Sequence, residues 1–390
     1  MMVTFVFTNP RHHVDMMAPV ARALGERGVA CRFVSLAELR GFPTPDLAER
    51  APRAEVRRAI PRLRRNPSAG AGLGTDGGRA AGLRQVAQRA VWGLALRPRL
   101  SWLLRGSDVV VVPNDAAFPY QQLAGRLRAE RVPFALLQEG IRFPLPAEQQ
   151  RGTIYGTGGA RAVCVWGEAS AAHFRSVGVP ASAIKVTGNP RFDAVEPAAW
   201  RERGAALQHK LGLDRAPLLY LSNTIDDQGF CTTAEKMGLF QAFLRGARPA
   251  AERERRAIVV KLHARESVAA FREAAVGVAN VHVLEDELLF AVLAMGHAAV
   301  VLASTVGLEA LAFGLPLGVL ELPRHGHVFD YVASGAAIAL RLDELERGVG
   351  ELLAASPGDR AATYLEHHMA NRGHAASRIA DCLVELTRVS

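Results

Sequence analysis

Three groups of side chains in this sequence have the types and spacing to do chemistry. The first is the hydroxyl pair Ser304-Thr305. It follows the short apolar run 298–303 and opens a stretch of helical spacing that carries Glu309 and stops at Gly314-Leu315-Pro316. A buried parallel strand that feeds a helix leaves the helix's first N–H groups unpaired at the carboxyl edge of the sheet. Those donors and the helix dipole both favour an anion such as a phosphate. Ser304 and Thr305 add hydroxyl donors, and Glu309, a turn deeper, is placed to accept from vicinal hydroxyls such as those of a ribose. The second group is acidic and imidazole: His12, His13 and Asp15 after one apolar run, Asp115 after another and Glu139 after a third. A positioned carboxylate or imidazole of this kind is what deprotonating a hydroxyl requires. The third comprises Asn223-Thr224 and His263, each at the end of a run in the second half of the chain. The plain structural readings are a capped helix for Ser304, a helix cap for Asp15, an Arg-paired carboxylate for Asp115 or Glu139, and a loop histidine for His263.

The elements that must hold these residues are short and regular. Apolar, β-branched runs at 3–8, 29–35, 108–112, 134–138, 162–166 and 184–187 alternate with segments of helical spacing, the first of them 14–27, closed by Gly28. That alternation predicts parallel α/β architecture. The second half repeats the plan with runs at 218–222, 257–262, 281–284 and 298–303, a helix at 287–295, and terminal helices at 342–353 and 359–386. The expected fold is α/β, two Rossmann-like doubly wound domains facing a cleft. The boundaries expected are 1–190 for the first domain, with an Arg-rich insert at about 40–106, and 191–370 for the second. Residues 371–390 would form a C-terminal helix packing back toward the first domain. The loop after the first run lacks G-x-G-x-x-G, so no dinucleotide is implied. The Gly-rich stretch 70–78 adjoins no strand or lysine and reads as a flexible part of the insert.

Composition narrows the class. Of 390 residues 49% are hydrophobic and 22% charged, as in a globular protein, and two domains fit the length. No apolar run reaches the length of a membrane span. The start, Met1 to Thr8, reads as a strand and not as a signal peptide. Cys31, Cys164, Cys231 and Cys382 are far apart and form no C-x-x-C pair, which fits a reducing cytoplasm and neither a disulfide framework nor a zinc site. Asp226-Asp227 are adjacent, so there is no metal-binding D-x-D, and no metal is expected. The net charge is +9, and arginines cluster between Arg50 and Arg105. Such a cluster attracts anionic lipid, nucleic acid or a phosphorylated substrate. Aromatic residues are only 6%, too few to interleave as base-stacking platforms, so nucleic acid is not expected.

Several stretches resemble the two-domain nucleotide-sugar glycosyltransferases of the GT-B fold, near the non-hydrolysing UDP-N-acetylglucosamine 2-epimerases. Val186-Thr187-Gly188-Asn189, followed by Asp193, is similar to the V-T-G-N-x-x-x-D that ends the first domain in that branch. Met17 to Leu24 is similar to its first helix, Glu139-Gly140-Ile141-Arg142 to its E-A-G-L-R, and Val260 to His263 to the strand before its donor site. Ser304 and Glu309 match a serine and a glutamate of its donor-binding helix. The chain departs from the epimerase pattern at Thr8 to His12, at His263-Ala264-Arg265-Glu266 and at Ser304 to Ala310, where a glycine and a second glutamate are missing.

The resemblance implies a metal-independent glycosyltransferase. It would move a sugar, hexosyl or N-acetylhexosaminyl, from a nucleoside-diphosphate or CMP-type donor to an acceptor hydroxyl. Cell-surface glycan or secondary-metabolite biosynthesis is the expected setting, and a glycan, a lipid-linked sugar or a small molecule the expected acceptor. Donor-binding residues would be Asn223, Thr224, His263, Ser304, Thr305, Glu309 and Arg142, with Arg265 a further phosphate partner. The base would be Asp115, Glu139 or His13, the carboxylates ranking first. The nucleotide sugar is a substrate, and no cofactor is implied. A peripheral contact with the inner membrane face through the Arg50–Arg105 segment is compatible with a lipid-phosphate acceptor. The alternatives are an NDP-sugar 2-epimerase and a CDP-linked glycerophosphotransferase.

Overall fold

In a computed structural model that describes residues 1–60, 87–140, 154–284 and 286–388, the apolar runs are strands of two parallel sheets. The first sheet contains β1 (Met2–Phe7), β2 (Ala30–Ser35), β3 (Ala54–Arg58), β4 (Val109–Val112), β5 (Phe134–Leu137), β6 (Ala162–Val165) and β7 (Ile184–Val186), in the order β3-β2-β1-β4-β5-β6-β7. The second contains β8 (Leu218–Leu221), β9 (Ile258–Lys261), β10 (Val281–Leu284), β11 (Ala298–Val301), β12 (Leu317–Leu320) and β13 (Ile338–Leu340), in the order β10-β9-β8-β11-β12-β13. Among the described residues, one compact unit comprises those between 1 and 194 together with 368–388, and the other comprises 195–367.

The central strands are apolar on both faces because helices cover both. Val109 to Val112 and Ala298 to Val301 are fully buried, and a buried valine side chain contributes roughly 1.5–3 kcal/mol. Ladder registers are regular: Phe5 pairs with Phe33 and Val111, and Val300 pairs with Tyr220 and Gly318. In each sheet the strand order reverses once, between β1 and β4 and between β8 and β11. In doubly wound sheets ligands bind beyond the carboxyl ends of the strands at such reversals.

Three sequence expectations are corrected. No strand is expected within the insert at about 40–106, yet Ala54–Arg58 adds edge strand β3, pairing Phe33 with Val56. Its charged sequence hides the strand, since an edge strand needs only one partner and tolerates exposed side chains. The Gly-rich stretch 70–78 lies outside the described residues. The long helix expected over 359–386 is two, Asp359–His368 and Ala375–Arg388. Between them the chain turns through Asn371 and Gly373, both at positive φ. Asn371 donates to the Val186 carbonyl, and the Ala370 N–H to the Trp166 carbonyl. Both carboxylate oxygens of Asp193 cap the second helix, accepting the Ala375 and Ala376 N–H groups at 3.0 and 2.9 Å. The V-T-G-N motif is therefore a docking point: a Cβ on Gly188 (φ +85°) would stand 2.3 Å from the Ala370 carbonyl oxygen. Asp15 is not the cap of the first helix, His12–Glu26. The Asn9 side chain accepts the Arg11 and His12 N–H groups, and Asp15 pairs with Arg50.

Candidate functional site

In the first unit the residues after β1, β4 and β5 meet around Glu139. Asn9, by accepting two N–H groups, starts the helix so that His12 and His13 occupy its first turn. His13 is buried. Its Nδ1 receives the Thr8 and Asn9 N–H groups at 3.3 and 3.2 Å, so that nitrogen is an acceptor. The Nε2–H therefore donates to Glu139 Oε2 at 2.9 Å. Asn114 holds the other oxygen, donating from Nδ2 to Oε1 at 2.8 Å. The Asn114 amide cannot turn over, because its Oδ1 accepts the Ala116 and Ala117 N–H groups. Tyr155 accepts the Glu139 N–H and donates to the Pro113 carbonyl, joining the β4 and β5 ends.

Charge follows from these bonds. Burial alone would raise the Glu139 pKa; the hydrogen bonds from His13 and then Asn114 outweigh it and hold the carboxyl at about 2. Its side chain keeps 26% exposure. His12 bonds through Nε2 to the Glu139 carbonyl at 2.6 Å. Burial, then the Arg191 guanidinium 3.5 Å from its Nδ1, lowers its pKa to about 4. Asp115 is buried in a different role. Its two oxygens accept the Gly156 and Gly158 N–H groups, each at 2.7 Å, and clamp that turn to the end of β4.

In the second unit the reversal between β8 and β11 is bridged by one side chain. Asn223, after β8, donates to the Ala303 carbonyl beyond β11 at 2.6 Å. Its Oδ1 is buried and has no hydrogen-bond partner among the described residues. Ser304 Oγ accepts the Val306 N–H at 3.3 Å and opens the short helix Val306–Ala312. The Thr305 hydroxyl makes no capping bond. Tyr331 lies against this helix, its hydroxyl donating to the Ser304 carbonyl. A Cβ on Gly307 would stand 2.7 Å from the Tyr331 ring, which is why a glycine suits that position. Glu309 is 1% exposed, and after burial its charge is the next cause raising the Tyr331 pKa.

Beyond β9 the His263–Glu266 turn is held from below. Glu266 accepts the His263 N–H at 2.7 Å, the Ser222 hydroxyl at 2.8 Å and Lys236 Nζ at 3.0 Å. Lys236 is itself buried and also pairs with Asp226 at 2.8 Å. Arg265 donates to Thr224 Oγ1 at 2.8 Å and pairs with Asp227 at 3.0 Å. His263 is at the surface; desolvation by the turn, then Arg265, holds its imidazole below the ordinary value.

Solved structures of low sequence identity match this chain over its whole length. The Neisseria meningitidis UDP-GlcNAc 2-epimerase, bound to UDP-GlcNAc, is 14% identical with a TM-score of 0.64, covering 100% of both chains. The S. aureus protein MnaA, in a co-structure with UDP, is 15% identical with a TM-score of 0.65, covering 100% of this chain and 97% of that one. The calicheamicin glycosyltransferase CalG4 is 17% identical with a TM-score of 0.58, covering 99% and 98%. The chain has the GT-B fold. No protein-family model and no curated protein matches it.

Within this GT-B chain, Glu139 and His13 are brought together, and Asp115 lies at the neighbouring strand end with its carboxylate turned to Gly156 and Gly158. Asn223, Thr224, Ser304, Thr305 and Glu309 gather at the β8/β11 reversal, and Arg265 ties His263's turn to Thr224. Arg142 lies outside the described residues. Sequence reasoning missed Asn114, Arg191 and the buried pair Lys236–Glu266. Only Glu266 left a local signal, standing three residues after His263. No group of three His, Cys, Asp or Glu side chains among the described residues could hold a metal ion.

Proposed function

We propose that the chain is a glycosyltransferase acting on a nucleoside-diphosphate sugar. The observation that carries the reading is Glu139, an ionised, partly exposed carboxylate pinned by His13 and Asn114 at the strand reversal of a GT-B unit. The second unit would take the donor. Ser304, Thr305 and the first N–H groups of their helix face the diphosphate, and the Asn223 Oδ1 is an acceptor in need of a donor group. Arg265 and His263 supply further donors to phosphate. Glu309 is so buried that a ribose would reach it only by displacing what now surrounds it.

The base falls to Glu139, ahead of His13, whose two ring nitrogens are both engaged, and of Asp115, which clamps a turn. At a pKa of about 2 the free carboxylate is a weak base. An acceptor seated against it removes water from it, which raises its affinity for the hydroxyl proton. Glu139→Gln should lower turnover by roughly 10²–10⁴ while leaving the donor-induced rise in unfolding temperature unchanged. Asp115→Asn should instead loosen the 156–158 turn and lower the unfolding temperature. Release of nucleotide from a panel of nucleotide sugars measures the first, and wild-type release by Glu139→Gln removes the assignment.

One observation favours a second reading. Several of the whole-length structural matches are UDP-GlcNAc 2-epimerases, and the same carboxylate would serve proton transfer on the donor itself. Incubation with UDP-GlcNAc alone separates the two: appearance of its C2 epimer without acceptor supports the epimerase.

A further inference from the structure

The net charge of the chain is not spread over it. Between residues 56 and 106 there are eleven arginines, no lysine and one acidic residue, Asp76, a net +10. The other 339 residues therefore sum to −1. A bias of base composition toward arginine would act along the whole sequence and does not explain this. The described part of the segment is edge strand β3 and the helical stretch 87–103, which ends in the helix Arg97–Leu103. Leu96, Leu100 and Leu103 are buried in the first unit's core, with Trp92 packed partly against it. That inward face fixes which residues look out. They are Val91 (39% exposed), Leu94 (84%) and Trp102 (49%), joined by Val56 (37%) on β3. Arg89, Arg97, Arg99 and Arg105 are exposed around them. The Trp102 ring is held between strand and helix by the guanidinium groups of Arg57 and Arg99, 5.1 and 5.0 Å from its centroid.

A helix that buries one stripe of leucines and presents a second apolar stripe to water, ringed by arginines, has the makeup of an interfacial membrane helix. We propose that this face docks the protein on a bilayer surface carrying anionic lipid, with Leu94 and Trp102 entering the headgroup region and the arginines meeting the lipid phosphates. The charge selects an anionic partner, since each basic side chain near such a surface strengthens attachment several-fold. The apolar side chains select lipid over nucleic acid. Leu94 and Val91 have no ring on which a base could stack, and Trp102, the exposed aromatic of the helix, is already held by two arginines. Attachment of this kind requires no membrane-spanning helix, and no helix among the described residues is long and apolar enough to cross a membrane.

The test is flotation of the full-length chain with vesicles of phosphatidylcholine alone or with a third of phosphatidylglycerol, at low and high salt. Wild type should float with the anionic vesicles, and binding should fall steeply with salt. Arg97→Ala with Arg99→Ala should weaken attachment roughly twenty-fold. Leu94→Ser should weaken it roughly ten-fold with an unchanged unfolding temperature, because that side chain packs against little. Equal flotation with neutral vesicles, attachment indifferent to Leu94→Ser, or retention of the protein by single-stranded RNA with none by vesicles would each overturn the proposal. Loss of a dimer in Leu94→Ser, with vesicle binding absent throughout, would reassign the face to a second copy of the chain.

Discussion

His12 and Glu139 both refuse a proton in the folded chain, and both therefore weaken the first unit in acid. The folded pKa of Glu139 is about 2 against an ordinary 4.5, so its contribution is present above pH 4.5 and is lost as pH falls toward 2. His12 is held at about 4 against an ordinary 6.5. Between those values the unfolded chain binds a proton that the folded chain refuses, so stability falls as pH drops from 6.5 to 4. The loss reaches at most about 3 kcal/mol. Replacement by Gln removes the titrating group, so denaturant unfolding of His12→Gln should show a flatter stability profile between pH 6.5 and 4. An unchanged slope would mean that the imidazole is not held neutral by its burial and Arg191. The pair His13–Glu139 also shows what a sequence can reveal at this scale. Each residue was legible as a candidate because it follows an apolar run. That they form a bonded pair was not, since 126 positions separate them and only the sheet order brings β1 and β5 to either side of β4.

Elements here are held by a few polar contacts at their ends. The terminal helix Ala375–Arg388 packs Ile379, Ala380, Cys382 and Leu383 into the first unit's core, and its start is fixed by Asp193 and by the close approach of Ala370 to Gly188. Gly188→Ala would force a Cβ into the Ala370 carbonyl at a φ that favours glycine, and should cost about 2 kcal/mol or more, read as a lower unfolding temperature of the first unit. In the second unit, Lys236→Ala would leave the buried Glu266 carboxylate and the partly buried Asp226 without their shared cation. A loss of about 3–5 kcal/mol is expected, measured by denaturant unfolding, together with a looser His263 turn. Central strands were readable as apolar runs because both their faces are buried. Edge strand β3 was not, because it bears Glu and Arg, nor was β13, which is three residues long. The break in the terminal helix was hidden because the apolar stripe resumes after it, while its cause, Asp193, lies some 180 residues away.

At the scale of the whole molecule, the proposed sugar transfer would draw on both doubly wound units. One presents a fixed carboxylate, and the other presents hydroxyls, a helix start and an orphaned amide oxygen at its strand reversal. A ligand that binds only the folded second unit must raise its unfolding free energy, by about 2.7 kcal/mol at a hundred times its Kd. The most direct measurement is therefore thermal unfolding of the wild type and of Ser304→Ala/Thr305→Ala against UDP, CDP, GDP and dTDP and their sugars. At least one nucleoside diphosphate should raise the wild-type transition, and the double variant should need at least about ten times more of it, as expected when phosphate hydrogen bonds are lost. No rise with any nucleotide at millimolar concentration, or an equal rise in the variant, would contradict the nucleotide-sugar assignment.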